Sequence, residues 1–277
     1  MPPSVAIVTD STAYLPAVPP GVTVVPLQVI VGGRPYDEGT QAGIGEWTPV
    51  TTSRPAPHRF AEVYAEAFSS GASGVVSVHL SGDLSGTAEA ARLAAAEAAG
   101  PVEVVDSRSI AMGLGFPVLA AVRAAGAGRT LEEVATIART SAARTQTYFY
   151  VDTLEYLRRG GRIGAAATLV GSALAIKPLL RIDGGRIVPL EKVRTAARAI
   201  ARLEDLAVAA AGFGAAGEEP VDVAVQHLSA QGRAEALAER LAKRLRKLVR
   251  LSVVEVGAVI GVHVGPGALG ITVSPSS

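Results

Sequence analysis

Two α/β domains are predicted by three observations: strands alternate with helices over the first half, a hairpin sits among the helices of the second, and the chain is rich in aliphatic residues. Of 277 residues, 49% are hydrophobic and only 18% charged, so a large core can form. A chain of this length suggests about two domains of ~150 residues. The predicted fold class is α/β: an N-terminal parallel-sheet βαβ domain over residues 1–146 and a C-terminal α+β domain with a mixed sheet over 147–277.

In the first half, Ser4 to Thr9 is a continuous apolar strand followed by the polar loop Asp10-Ser-Thr12. Val22 to Val31 reads as a second strand, with Pro26 placing it at an edge or a bulge. Arg34 to Pro57 shows little periodicity and is read as a long functional loop. Arg59 to Ser69 has helical spacing. Val75 to Leu80 is a strand, Ser81 to Gly86 a loop, and Thr87 to Ala99 an alanine-rich helix stopped by Gly100-Pro101. Val102 to Asp106 is a strand and Ile110 to Ala125 a helix. Thr130-Leu-Glu-Glu133 is a capping box that opens a further helix. Such alternation implies parallel strands covered on both faces, with ligands at the carboxyl ends of strands, where the Asp10 and Ser81 loops fall.

The second half has a different rhythm. Thr147 to Val151 is a strand, and Thr153 to Arg159 a short helix running into the basic glycine corner Arg158-Arg-Gly-Gly-Arg162. Pro178 to Ile182 and Arg186 to Glu191 flank Asp183-Gly-Gly185, a hairpin signal. Arg194 to Ala211 is a helix and Val221 to Leu228 a strand. Ala230 to Leu248 is an amphipathic helix with the stripe Leu237, Leu241, Leu245 and Leu248. Leu251 to Ile260 reads as a closing strand that enters a glycine turn carrying His263.

Composition narrows the function. Lys and Arg number 26 against 25 Asp and Glu, a net charge of +1. That gives no basic footprint for nucleic acid, and aromatics at 4% offer few stacking platforms. With no cysteine, disulfides, thiolate metal sites and a cysteine nucleophile are excluded. His58, His79, His227 and His263 share no metal-ligand spacing, so neither a metal nor a cofactor is expected. No signal peptide and no membrane span is read, which predicts a cytoplasmic protein.

Four constellations can carry chemistry. Thr51-Thr52-Ser53, stiffened by Pro55 and Pro57, offers hydroxyls that can hold a carboxylate or cap the helix near Arg59. Ser81-Gly82-Asp83-Leu84-Ser85-Gly86-Thr87 joins a strand to a helix N-terminus, which favours an anion or forms a plain capped turn. His263, among four glycines, can present an imidazole N–H to an anion. Arg158 and Arg162 on their glycine corner suit a planar or phosphorylated anion. A rival assignment makes Ser81 or Ser85 a nucleophile with His263 as base, oriented by Asp10 or Asp106, in a serine hydrolase or esterase. A nucleotide-binding enzyme is a third class, disfavoured because neither the Walker nor the Rossmann glycine pattern is present.

Taken in order, these motifs resemble the DegV family. The resemblance rests on Ile7-Val-Thr-Asp-Ser-Thr-Ala13, Thr52-Ser-Arg-Pro-Ala56, Leu80-Ser-Gly-Asp-Leu-Ser-Gly-Thr87 and Val105-Asp-Ser107. It continues through Leu154-x-x-Leu-x-x-Gly-Gly-Arg-Ile163, Ile176-Lys-Pro-Leu179, Val193-Arg-Thr195 and Gly261-Val-His-Val-Gly-Pro-Gly267. It implies a non-enzymatic lipid carrier that binds a long-chain fatty acid such as palmitate, stearate or oleate in a tunnel between two α/β domains. The acid would be handed to a separate fatty acid kinase, which makes an acyl phosphate for phospholipid synthesis. The resemblance assigns the carboxylate to Thr52, Ser81 and His263 and sets Arg194 near the acid or its kinase. The residues themselves add Ser53 and the Gly82 N–H to the carboxylate set, and Arg158 and Arg162 as a candidate head-group or kinase contact. Two positions depart from the family pattern: Gly82 stands for a second loop serine, and Ala56 ends a motif that usually ends in serine.

Physical chemistry agrees with such a division of labour. A buried carboxylate costs several kcal/mol unless hydrogen-bonded. Hydroxyls and an imidazole offset that cost, while each buried CH₂ contributes ~0.8 kcal/mol.

Overall fold

The computed structural model describes residues 4–40, 50–169, 177–212 and 219–276. These fall into two compact units, one up to Ala143 and one from Arg144 onward.

In the first unit, β1 (Ser4–Asp10) and β2 (Val22–Val25) pair in parallel. Pro26 then breaks the chain. It cannot donate to a ladder, and the direction changes: β3 (Gln28–Val31) pairs antiparallel with β4 (Arg34–Asp37) and β5 (Val50–Ser53). The expected single strand Val22–Val31 is therefore two strands in two sheets. The expected loop Arg34–Pro57 likewise contains two strands, β4 and β5, whose four residues each are too few to show a period.

Next come α1 (Pro57–Ser69), β6 (Ala72–His79), α2 (Thr87–Ala95), β7 (Val102–Asp106), α3 (Met112–Gly126) and α4 (Leu131–Arg144). The main sheet runs β2-β1-β6-β7, all parallel. Phe60 and Tyr64 of α1 and Ala90, Ala91 and Ala94 of α2 pack with Val8, Val25 and Val75. The helix α3 packs on β1 and β6. Its Leu114, Val118 and Ala121 are fully buried, as a helix laid on a parallel sheet requires. The capping box forms as read: Thr130 Oγ1 accepts the Glu133 N–H at 3.3 Å, and Glu133 Oε2 accepts the Thr130 N–H at 2.9 Å.

In the second unit, β8 (Gln146–Tyr150) and α5 (Glu155–Arg159) precede a 3₁₀ turn at Gly164–Leu169 that has no sequence signature. Then follow the expected hairpin, β9 (Lys177–Asp183) and β10 (Arg186–Val193), and α6 (Ala196–Ala211). The rest is β11 (Val221–His227), α7 (Gln231–Arg244), β12 (Leu248–Glu255), α8 (Ala258–Val264) and β13 (Leu269–Pro275). Six strands form a mixed sheet, β10-β9-β8-β13-β11-β12, in which only β11 and β12 are parallel. Leu203 and Ala207 of α6 and Leu237 and Leu241 of α7 bury against Val223, Val225, Ile271 and Val273. Glu204 of α6, nearly buried, ties the helices together by accepting from Arg240 Nε at 2.7 Å and Arg244 Nη1 at 2.8 Å.

The end of the chain corrects the sequence reading. The apolar run before His263 is the short helix α8, not the end of a strand, and β12 stops at Glu255. A short helix buried through its middle, as α8 is at Val259 to Val262, and a buried strand both read as an unbroken apolar run. The last strand, β13, was not anticipated, and it fills the middle of the sheet between β8 and β11. The amphipathic helix ends at Arg244, so Leu248 begins β12 instead of extending the stripe.

Candidate functional site

Three loops converge where the parallel strands of the first unit end. Asp10 closes β1 and is fully buried. Its Oδ1 accepts from the Thr12 N–H at 3.1 Å and the Thr12 hydroxyl at 2.5 Å. Its Oδ2 accepts the Leu80 N–H at 3.0 Å and lies 3.0 Å from His79 Nδ1. His79 Nε2 is 2.7 Å from Ser77 Oγ, which accepts the Tyr64 hydroxyl at 2.9 Å. With Nδ1 protonated, one direction satisfies the whole chain: Tyr64 donates to Ser77, Ser77 to His79, and His79 to Asp10. Burial pushes the Tyr64 phenol up to about 12, so it stays a donor at neutral pH.

This Ser–His–Asp order looks like a triad, but all three side chains are sealed from solvent and Ser77 is saturated. It therefore holds the Asp10 and Ser81 loops together. Sequence reasoning missed it, because alternate residues of one strand, Ser77 and His79, join an aspartate 69 positions away.

The Ser81 loop rests on this base. Ser81 is fully buried. It donates its N–H to Ser109 O at 2.8 Å, and its Oγ accepts the Asp83 N–H at 3.2 Å. The Gly82 N–H, expected to face a carboxylate, donates to Asp106 Oδ2 at 3.1 Å. Asp106 Oδ1 also accepts the Arg108 N–H at 2.8 Å. A Cβ on Gly82 would come within 2.9 Å of Asp106 Oδ2, which gives the glycine a local reason to replace serine. Asp10 and Asp106, the two carboxylates considered as orienters of His263, thus serve His79 and the Ser81 loop. Ser85 Oγ bonds Thr87 Oγ1 at 2.9 Å.

Thr52 and Ser53 are neighbours on β5, so they point to opposite faces of the small sheet. Thr52 lies opposite Val29, which is buried. Ser53 lies opposite Gln28 and donates to its Oε1 at 3.1 Å, in a network continued by Asp37 and Arg59. The two hydroxyls therefore do not form one donor pair. Neither caps α1, whose N-cap is Ala56 with no side-chain bond and whose first residue is Pro57. Arg54 reaches the end of the Ser81 loop, donating to Gly86 O at 3.1 Å.

In the second unit, His263 lies near the end of α8, against α5. Its imidazole packs on Gly160 so closely that a Cβ there would be 2.1 Å from Nδ1. Burial, with the positive charge of Arg162 adding to it, lowers the imidazole from 6.5 to about 4, so it is neutral at pH 7. Arg162 turns inward, donating to Gly160 O at 2.7 Å. Arg158 is held by Glu155 through two bonds of 2.9 and 2.7 Å. Arg194 is exposed, one residue before the Thr195 cap of α6, and away from that corner along the chain. The structure thus brings His263 and Arg162 together and leaves Arg158 and Arg194 in other settings.

A further cluster escaped the sequence reading. Asp152 accepts from Lys177 Nζ at 2.8 Å and from the Tyr150 hydroxyl at 2.7 Å. Arg233 donates to Tyr150 Oη at 3.1 Å and to Gly267 O at 3.2 Å. Desolvation raises the Asp152 carboxyl, but hydrogen bonds from Lys177 and Tyr150 outweigh it and hold the group below its ordinary value. A Cβ on Gly267 would sit 2.1 Å from Asp152 Oδ2. The last glycine of the His263 motif thus makes room for a carboxylate, not for a ligand.

Among the described residues, no cluster of His, Asp and Glu is suited to a metal, and no helix is long and apolar enough to cross a membrane.

A parallel-sheet unit with polar strand-end loops, followed by a mixed-sheet unit that shields a neutral imidazole, defines a class of two-unit α/β proteins. The chain belongs to the DegV family: the family described as "Uncharacterised protein, DegV family" matches residues 4–276. A DegV domain-containing protein of Streptomyces coelicolor is 58% identical over 280 residues, covering 98% of both chains. Among solved structures, a fatty-acid-binding DegV family protein from Thermus thermophilus matches with a TM-score of 0.89 and 34% identity, covering 99% of this chain and 100% of that one. DegV from Bacillus subtilis, described as a fatty acid binding protein, matches with a TM-score of 0.84 and 31% identity, covering 99% of each.

Proposed function

We propose that this chain binds a long-chain fatty acid and carries it without transforming it. The carboxylate would be held by the Thr52 and Ser81 hydroxyls and the His263 imidazole. The observation that carries this reading is the neutral, shielded imidazole of His263, which can donate to an acid head without the desolvation cost of a second buried charge. The full-length likeness to two fatty-acid-binding DegV proteins supports it. Ser53 and Gly82 are weaker members of the set, because each already serves a neighbour inside the first unit. The acyl chain would supply most of the affinity.

We further propose that the loaded protein acts in the cytoplasm and presents its acid to a separate kinase that forms an acyl phosphate. The exposed Arg194 is the contact offered for that step. Arg194→Glu should slow acyl-phosphate formation in a reconstituted reaction while leaving palmitate affinity unchanged.

The binding site is tested by combining Thr52→Ala with His263→Ala and measuring palmitate and oleate affinity. A loss of at least ~1 kcal/mol is expected from the missing charge-assisted bonds. Unchanged affinity removes both residues from the site.

A further inference from the structure

The glycine pair at the end of α5 has two separate jobs. Gly161 lies in the left-handed region at φ 68. Its N–H bonds Arg158 O at 3.1 Å, and the next N–H, of Arg162, bonds Leu157 O at 3.0 Å. That double bond pattern ends a helix and calls for glycine at this position. Gly160 has no such need. Its backbone is ordinary right-handed helix, φ −73 and ψ −6, which any residue adopts. What excludes a side chain at Gly160 is the His263 ring, with Nδ1 at 2.1 Å and Cε1 at 2.8 Å from the place a Cβ would take.

The contact is reciprocal. At the end of α8, a Cβ on Gly265 would fall 2.3 Å from Cδ2 and 2.4 Å from Cε2 of Tyr156, a residue of α5. Each short helix therefore offers a ring to a glycine of the other. The Tyr156 ring also carries the Arg159 guanidinium 5.0 Å from its centroid, and Arg159 pairs with Glu155 at 3.7 Å. Helices of five and seven residues have little stability of their own. Such an interlock fixes their separation, and with it the imidazole.

We infer that Gly160, Gly265 and Tyr156 are positioning residues for His263, setting its ring by this double ring-on-glycine contact. The use of that ring by an acid head rests on the proposed function; the positioning itself does not. Gly160→Ala is the more direct test, because the backbone accepts alanine and the ring is much the nearest obstacle, the next being Tyr156 O at 3.2 Å. Nuclear magnetic resonance titration of the His263 ring reads its burial directly, with palmitate affinity measured in parallel.

In Gly160→Ala, the His263 pKa should climb from about 4 toward 6.5 as the ring leaves its shielded place. Palmitate should bind about tenfold or more weakly, the order of one lost charge-assisted bond. Tyr156→Phe keeps the ring and should behave as wild type in both measurements, whereas Tyr156→Ala should follow Gly160→Ala. Should Gly160→Ala fail to fold, the two tyrosine variants decide alone. An unchanged His263 titration in Gly160→Ala, or in Tyr156→Ala, overturns the inference. Failure of wild-type protein to bind palmitate would defeat the proposed function, while the titration would still judge the positioning.

Discussion

Two histidines of this molecule are handled in opposite ways. His79, in the first unit, is sealed in a chain that ends on the Asp10 carboxylate, and each of its ring nitrogens has a polar neighbour within 3.0 Å. His263, in the second, is seated on a glycine carbon beside the Arg162 cation, and burial keeps it neutral. The first arrangement spends the imidazole on fixing two loops. The second withholds its charge at neutral pH, and the proposed function assigns that neutral ring to an acid head. A buried polar group whose partners are built in, as at His79, fixes the loops around it.

Breaking the first arrangement should have the largest effect. Asp10→Ala removes one acceptor from four donors, those of Thr12, Leu80 and His79. A loss of about 3–5 kcal/mol in urea unfolding is expected, the scale of a broken buried charged network. A loss below ~1 kcal/mol would show that the network is not closed as described.

The second arrangement is tested by pH. The folded pKa of His263, about 4, lies below the ordinary 6.5. Between these values the unfolded chain binds a proton that the folded chain does not, so stability falls as pH drops through that window. This contribution is complete above 6.5 and lost by about 4. Comparing wild type with His263→Gln by denaturant titration at several pH values should show a shallower slope in the variant. Equal slopes would mean that the imidazole is not shielded.

Smaller effects sharpen the contrast. Tyr64→Phe removes the phenol that donates to Ser77 and should cost about 1 kcal/mol, read as a lower urea midpoint. Ala111 precedes α3 at φ 55 and ψ −135, a region that favours glycine. Ala111→Gly should stabilise the fold by about 0.5–1 kcal/mol, since the relieved strain exceeds the added chain entropy. Destabilisation would show that the alanine methyl contributes more packing than its backbone costs.

What was legible in the sequence follows from where the information lies. The parallel strands and α1 to α4 show up because apolar residues repeat at helical spacing or run unbroken between turn residues. The Thr130 capping box and the Asp183-Gly-Gly185 hairpin are local chemistry, so four or five residues suffice to find them. Thr52, Ser81 and His263 stand out because each follows or precedes glycines and prolines. Their settings do not stand out. The strand β5 is four residues long, and α8 imitates a strand because all of Val259 to Val262 is buried. The opposed faces of Thr52 and Ser53 follow only once β5 is known to be a strand. The Asp10–His79 link and the fit of His263 on Gly160 join residues 69 and 103 positions apart, which no spacing within one chain segment reveals.

The proposed function is that this chain holds a long-chain fatty acid. Denaturing extraction of the purified protein, followed by mass spectrometry and by incubation of the emptied protein with palmitate or oleate, tests it most directly. The account predicts a long-chain acid recovered in near-equimolar amount and taken up again after removal. Repeated recovery of empty protein, with no uptake of either acid, would contradict it.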